Sequence, residues 1–394
     1  MLLSLRRLRM IAICWIVVAS ATYLVDLFFQ TQDGLTNGAG RPFGDDFINY
    51  WSGAFLAWHG RVADIYNWSA FHTFETSVVG ANPDFYHYSY PPVLPVLTAP
   101  LAVLGYVPAL AVWLVAGWLA FYFALSAARP DRGCLLLALA TPAVFINAVG
   151  GQNGTWTAAL LGGGLSLLDR RPIVAGVLFG LLIYKPQIGL LLPFALLAGR
   201  YFSAFFAAAI TAVVLVLASV LFFGPDVWAA YFHNLSVLRE VILENGTGVW
   251  HRMLSVFVAA RRFGAGVQTA YATQAAFALL ALFVVVLAWY RRDVAQPLKN
   301  TLLVLGTCLA TPYLQDYDLV VGAFVVVWLV DLYPAGEIPK PIQIGAGLIL
   351  LVPFVASALA KYTGYEFGPL FIAPVFLIAM QVALRARGAR FQSA

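Results

Sequence analysis

The chain has 394 residues, 62% of them apolar and 10% charged, with a mean hydropathy of +0.84, whereas a water-soluble domain carries roughly 25% charged residues. That much apolar surface cannot be hidden from water, so lipid is the expected solvent and one helical bundle, residues 1–394, the expected domain. The net charge of +5 lies in short loops and reports orientation rather than nucleic-acid binding, while Cys14, Cys134 and Cys308 stand in separate apolar segments with no disulfide or metal spacing.

Arg6, Arg7 and Arg9 precede an apolar run of about 19 residues, longer than the roughly 7–15 of a cleaved signal peptide, which predicts a first transmembrane helix. Residues 31–106 then form a long first outer loop. Within it, the residues from Phe47 onward have the spacing of an amphipathic interfacial helix. The run 91–105 opens with Tyr90-Pro91-Pro92 and contains Pro95 and Pro100, so it is expected to be re-entrant or interfacial rather than a crossing. Apolar runs follow at 107–127, 134–149, 155–169, 172–184, 187–199, 201–223, 267–290, 297–311, 319–333, 341–360 and 369–385, interrupted by a second outer loop at 224–266.

Short cytoplasmic loops retain Lys and Arg. By that rule Arg129, Arg132, Arg170, Arg171, Arg200, Arg291, Arg292, Lys340, Arg385, Arg387 and Arg390 all lie inside, giving twelve spans with both termini cytoplasmic. The unusual polar residues then gather on the extracytoplasmic side. Because the spans flanking Gln152 and Lys185 run to only about 13–16 residues, short of the ~20 that cross a bilayer, these turns should sit below the outer surface, around an outward-open crevice.

Each polar position has a functional and a structural reading. Asp45 and Asp46 follow the first helix, and a carboxylate there can act as a general base or cap the next helix. Gln152 and Asn153 in their glycine-rich turn offer donors and acceptors for hydroxyl or phosphate recognition, or simply break a helix. Lys185 in LLIYKPQIGLL is an intramembrane ammonium that calls for an anionic partner, or else snorkels to the interface. Of Asp316 and Asp318, flanked by Tyr313 and Tyr317, one is expected to cap the helix that follows. In GVWHRMLSVFVAARRFG, Arg252 and Arg262, with His251 and Arg261, could bind a phosphate or form a solvated face, while Leu254, Val256, Phe257 and Val258 would lie in the interface. His59, His72, His87 and His233 lack metal-ligand spacing, and no P-loop, GxSxG or GxGxxG element is present.

Together these elements resemble glycosyltransferase family 87, the polyprenol-phosphate-mannose-dependent α-mannosyltransferases of the GT-C class. The resemblance is carried by Asp46 to Tyr50, Gly53, Gly60 and Tyr66, then Tyr90-Pro91-Pro92, Gly151-Gln152-x-Gly with Asn153, Lys185-Pro186-Gln187, and Pro312 through Asp316-Tyr317-Asp318. Two positions depart: Gln315 stands where the family often has His, and Trp250 to Ser255 where it has Asn-Gln-Ser-Leu.

The resemblance implies an all-α, GT-C-like membrane enzyme of the bacterial inner membrane. It would move a hexose from a polyprenyl-phosphate-sugar to a lipid or glycan acceptor with inversion, without cofactor or metal. Asp46 would be the base, with Asp45 as the other candidate. Lys185, Gln152, Asn153, Arg252, Arg262, Tyr50, Tyr90, Asp316 and Asp318 would bind the donor phosphate and sugar. A multi-span transporter or lipid flippase, and a non-catalytic partner in envelope assembly, are the competing readings.

Overall fold

The computed structural model describes residues 5–80, 83–131, 133–333 and 337–391, and among them every regular element is a helix, with only isolated β-bridges. In chain order the α-helices are α1 (Leu5–Phe29), α2 (Phe47–Trp58), α3 (Trp68–Val79), α4 (Val93–Leu97), α5 (Tyr106–Ala128), α6 (Gly133–Ala140), α7 (Pro142–Val149), α8 (Gly154–Leu167) and α9 (Pro172–Leu181). They continue with α10 (Leu192–Ala198), α11 (Phe202–Phe223), α12 (Asp226–Leu238), α13 (Val256–Arg262), α14 (Val267–Tyr290), α15 (Gln296–Ala310), α16 (Gly322–Asp331), α17 (Lys340–Thr363) and α18 (Gly368–Phe391).

Among the described residues five helices are long and apolar enough to cross a membrane: Arg6–Phe29, Tyr106–Ala128, Phe202–Phe223, Val267–Tyr290 and Lys340–Thr363. Large apolar side chains such as Val17, Leu24, Phe28, Leu221 and Leu279 are exposed on them, which only an apolar solvent tolerates over such an area. The other expected spans coincide with helices that are shorter or broken, except α18, a long helix whose apolar part covers only Gly368–Leu384. Proline accounts for several breaks: Pro142 starts α7 after the α6 run, Pro172 starts α9, and Pro186 interrupts the chain between α9 and α10. At about 1.5 Å per residue, the 14 residues of α8 reach roughly 21 Å, short of a ~30 Å hydrocarbon core. These short helices are the ones whose ends carry Gln152 and Lys185. Helix α15 forms the centre of the bundle, with thirteen of its fifteen residues buried.

Two expectations change. The helix beginning at Phe47 does not lie at an interface with one face outward, because ten of its twelve residues are buried. The first loop folds over it: α3, α4 and the short helices at 62–66 and 99–103 build a second apolar core around Phe47, Tyr50, Trp51, Phe71 and Tyr88. Trp51 and Trp58 donate from their indole nitrogens to the carbonyls of Leu104 and Pro95, pinning the 91–105 run against α2 in two pieces too short to span. Likewise Leu254, Val256, Phe257 and Val258 are buried in the protein rather than presented to lipid.

The bundle has two polar ends. At one, Arg129 pairs with Asp331 at 2.7 Å, and the Tyr201 hydroxyl joins Asp169 to Gln296. Arg132 lies outside the described residues, as do the side chains of Arg385, Arg387 and Arg390.

Candidate functional site

At the other end, three turns and the start of α2 meet. The chain leaves α1 and reverses at Gly44 and Asp45, which have φ of +81° and +52°. Asp tolerates that left-handed conformation better than most residues. Asp45 is tied on both sides, accepting from Arg41 Nε at 3.0 Å and from the Tyr86 hydroxyl at 2.7 Å, while Arg41 also reaches Asp26 and the Val149 carbonyl.

Asp46 precedes α2, yet its side chain makes no capping bond. Its carboxylate instead accepts from Gln152 Nε2 and faces Arg252 Nη1 at 3.5 Å. One turn into α2, the Tyr50 hydroxyl donates to Gln152 Oε1 at 2.9 Å and shares a 2.7 Å bond with the Tyr90 hydroxyl. Asn153 Nδ2 donates to Tyr90 at 3.1 Å, and Asn153 Oδ1 accepts from Lys185 Nζ at 3.1 Å. Lys185 ends the chain of contacts on Asp318, 2.5 Å away. A continuous polar line therefore runs Asp46, Gln152, Tyr50, Tyr90, Asn153, Lys185, Asp318. A branch runs through Arg252, which donates to Asp316 at 3.3 Å, and Asp316 also accepts from Ser357.

Of the candidate residues, Asp46, Tyr50, Tyr90, Gln152, Asn153, Lys185, Arg252, Asp316 and Asp318 are joined in this network. Asp45 adjoins it with its own partners. Arg262 does not join: it points toward α17 and donates to the Ala360 carbonyl at 2.9 Å. Arg252 ends the short helix that precedes α13 and Arg262 is the last residue of α13, so the two arginines emerge at opposite ends of that helix and only the first reaches the network.

Lys185 does not snorkel. Its side chain is 3% exposed, and Asn153, Asp318 and the Tyr317 ring, whose centroid is 4.4 Å from Nζ, occupy the directions in which an ammonium donates. The anionic partner expected of a headgroup is thus supplied by Asp318. Asp318 also accepts from the Gln315 backbone as the N3 member of a capping box, so the N-cap of the next helix is Gln315 rather than either aspartate, and Asp318 contributes to the cap only from N3. The expected open crevice is closed in this conformation: Gln152, Asn153, Lys185 and Asp318 are buried, and the network reaches solvent at Asp46, 30% exposed, and Arg252, 20% exposed.

The electrostatics of Asp46 follow from its neighbours. Two cations, Lys185 and Arg252, face three carboxylates, Asp46, Asp316 and Asp318. Removal from bulk water and then the neighbouring Asp45 charge push the Asp46 pKa up, opposed by Arg252, to about 7. Arg252 is the loosest member, since its contacts to Asp46 and Asp316 run to 3.3–3.5 Å, long for charge-assisted bonds.

Glycine makes the convergence possible. Gly151 has φ of +58°, and a Cβ there would lie 2.1 Å from the Gly44 carbonyl oxygen. Gly151→Ala should cost about 3 kcal/mol, combining left-handed strain with overpacking, and should separate the turn carrying Gln152 from the one carrying Asp46. A thermal midpoint unchanged in that variant would contradict this packing.

Sequence reasoning did not assign roles to Arg41, Tyr86 or Ser357. The four-residue spacing of Arg41 and Asp45 was a usable signal, whereas nothing local points from Tyr86 or Ser357 to the site.

The family model of glycosyltransferase family 87 matches residues 88–312, more than half of the chain, a stretch that contains Tyr90, Gln152, Asn153, Lys185 and Arg252. No curated protein and no solved structure matches the chain.

Proposed function

The chain belongs to glycosyltransferase family 87 and is a membrane glycosyltransferase, and on that premise we propose that it transfers a hexose, mannose first among the candidates, from a polyprenyl-phosphate-sugar to an acceptor hydroxyl. Asp46 is the general base in this reading. The observation that carries it is the carboxylate itself: poised in front of α2 without capping it, partly exposed, held by Gln152 and Arg252, with a pKa near neutrality.

The acceptor hydroxyl gives its proton to Asp46 as its oxygen attacks the anomeric carbon. The bond from that carbon to the phosphate oxygen breaks, and the polyprenyl phosphate departs with the electron pair. In-line attack inverts the anomeric configuration, so a β-linked donor gives an α-glycoside. Arg252, loosely held, is the cation free to turn toward the leaving phosphate, and bidentate donation suits it to that group. Lys185, fully engaged, acts here by holding Asn153 and Asp318 rather than by meeting phosphate.

The same reading has twelve crossings in the bacterial inner membrane, both termini cytoplasmic and the Asp46 network outside. It is supported by the gathering of Arg170, Arg200, Arg291 and Arg292, with Arg129 joined through Asp331, around the opposite end of the bundle.

Membranes containing the protein, supplied with polyprenyl-phosphate-mannose, should form a new glycoside detectable by mass spectrometry. Transfer from a sugar nucleotide directly, or transbilayer movement of the lipid-linked sugar with no glycoside formed, would overturn the assignment. Because only ionised Asp46 accepts a proton, kcat/KM should rise with pH through about 7 and level off above it. A flat profile between pH 5 and 8 would remove Asp46 from the proton transfer.

A further inference from the structure

A cavity of about 390 Å3 opens at the end of the bundle away from Asp46, where the C-terminal ends of α10 and α14 meet the first turn of α15. Its walls hold four cations, Arg200, Arg291, Arg292 and Lys299, beside a single carboxylate, Asp293. Arg291 is engaged by Asp293 through bonds of 3.0 and 2.6 Å. Arg200 and Arg292 are exposed and make no ion pair among the described residues.

Lys299 is the informative residue. It is 9% exposed, yet its ammonium, with three donors, makes one long contact of 3.5 Å to the Trp289 carbonyl. The Trp289 indole donates in return to the Lys299 carbonyl at 3.0 Å, fixing the residue in the cavity wall. Asp169 and Asp293 act on it only through space, with neither in hydrogen-bond contact; an ammonium so placed is costly, and its position in the first turn of α15 sets it against the helix dipole as well. An anion entering the cavity relieves both penalties.

We propose that this cavity binds a phosphate-bearing anion, with Lys299, Arg200 and Arg292 as its ligands. Two sources share that chemistry: the headgroup of an anionic phospholipid, and a free phosphate ester. The surroundings favour the lipid. Phe194 and Leu197 on α10, and Phe283 and Leu287 on α14, are exposed apolar residues within two turns of the cavity, where acyl chains can lie while the headgroup meets the cations. The site is separate from the Asp46 network and does not depend on the reaction assigned there.

The test is native mass spectrometry of the full chain released from mixed phosphatidylglycerol and phosphatidylcholine nanodiscs. Wild type should retain phosphatidylglycerol preferentially. Arg200→Gln/Arg292→Gln alters exposed positions only and should weaken that retention about 30-fold, each basic residue being worth about fivefold. Lys299→Met should lower it further, and sugar transfer in pure phosphatidylcholine should persist in the double variant. A thermal midpoint that rises with inorganic phosphate in phosphatidylcholine nanodiscs, and does so only in wild type, would assign the site to a soluble ester. Equal retention of both lipids with no response to phosphate, or a double variant that binds as wild type does, overturns the proposal.

Discussion

Asp46→Asn should lower sugar transfer about 10²–10⁴-fold, the range over which positioned general bases contribute, while the protein stays folded. Asn has the shape of Asp, can accept from Gln152 through its carbonyl oxygen, and leaves Arg252 its second partner, Asp316. What it lacks is the capacity to take a proton, so the pH dependence through about 7 should vanish with it. Asp45→Asn is the informative companion. Asp45 is bound to Arg41 and Tyr86, so its loss should weaken two charge-assisted bonds and cost about 1.5–3 kcal/mol of stability, with a much smaller effect on turnover. Should Asp46→Asn retain most of the transfer rate while Asp45→Asn loses it, the base is Asp45 and the reading of Asp46 fails.

The second large effect concerns Lys185. Lys185→Met removes one half of a buried pair and leaves Asp318 and its neighbour Asp316 without the ammonium, which should destabilise the protein by about 3–5 kcal/mol. Lys185→Met/Asp318→Asn should recover most of that loss, because a neutral amide can still accept from the Gln315 backbone and the charge left bare by the single substitution is removed with it. If Lys185 serves by holding the network, the double variant should also regain transfer to within about tenfold, whereas Arg252→Gln, which takes away the loosely held guanidinium, should not be rescued by any partner substitution. A double variant that is stable in denaturant titration but still inactive would instead put Lys185 in contact with the donor. The two arms separate a structural ammonium from a substrate-binding one, which stability measurements alone cannot do.

How much of this could be read from the residues differs from element to element. The membrane setting followed from composition, because no arrangement of a 62% apolar chain satisfies water. The gathering of Asp46, Gln152, Lys185, Arg252 and Asp318 was legible too, because alternating basic loops and apolar runs allot each polar turn to one side of the bundle, however far apart in the chain. The positions of the breaks at Pro142, Pro172 and Pro186 were likewise written in proline's missing donor and fixed φ.

Tertiary structure decided the rest. Whether the apolar spacing after Phe47 meets lipid or protein depends on Trp68–Val79 and Val93–Leu97 folding over it, and periodicity looks the same in either case. Lys185 declares that it needs an anion, but only the packing of α8 against the 316–321 turn chooses Asp318 over a headgroup. Arg252 and Arg262 are chemically equivalent on paper, and their places before and at the end of α13 send the first to Asp46 and the second to the Ala360 carbonyl. Composition and spacing are properties of the chain taken locally, so they set the solvent, the helices and the side on which each turn emerges. Partner choice, enclosure and much of the Asp46 pKa shift arise from contacts between separate segments, as where Asp46 meets Gln152 and Lys185 meets Asp318, 106 and 133 residues apart, and these exist only once the bundle has closed.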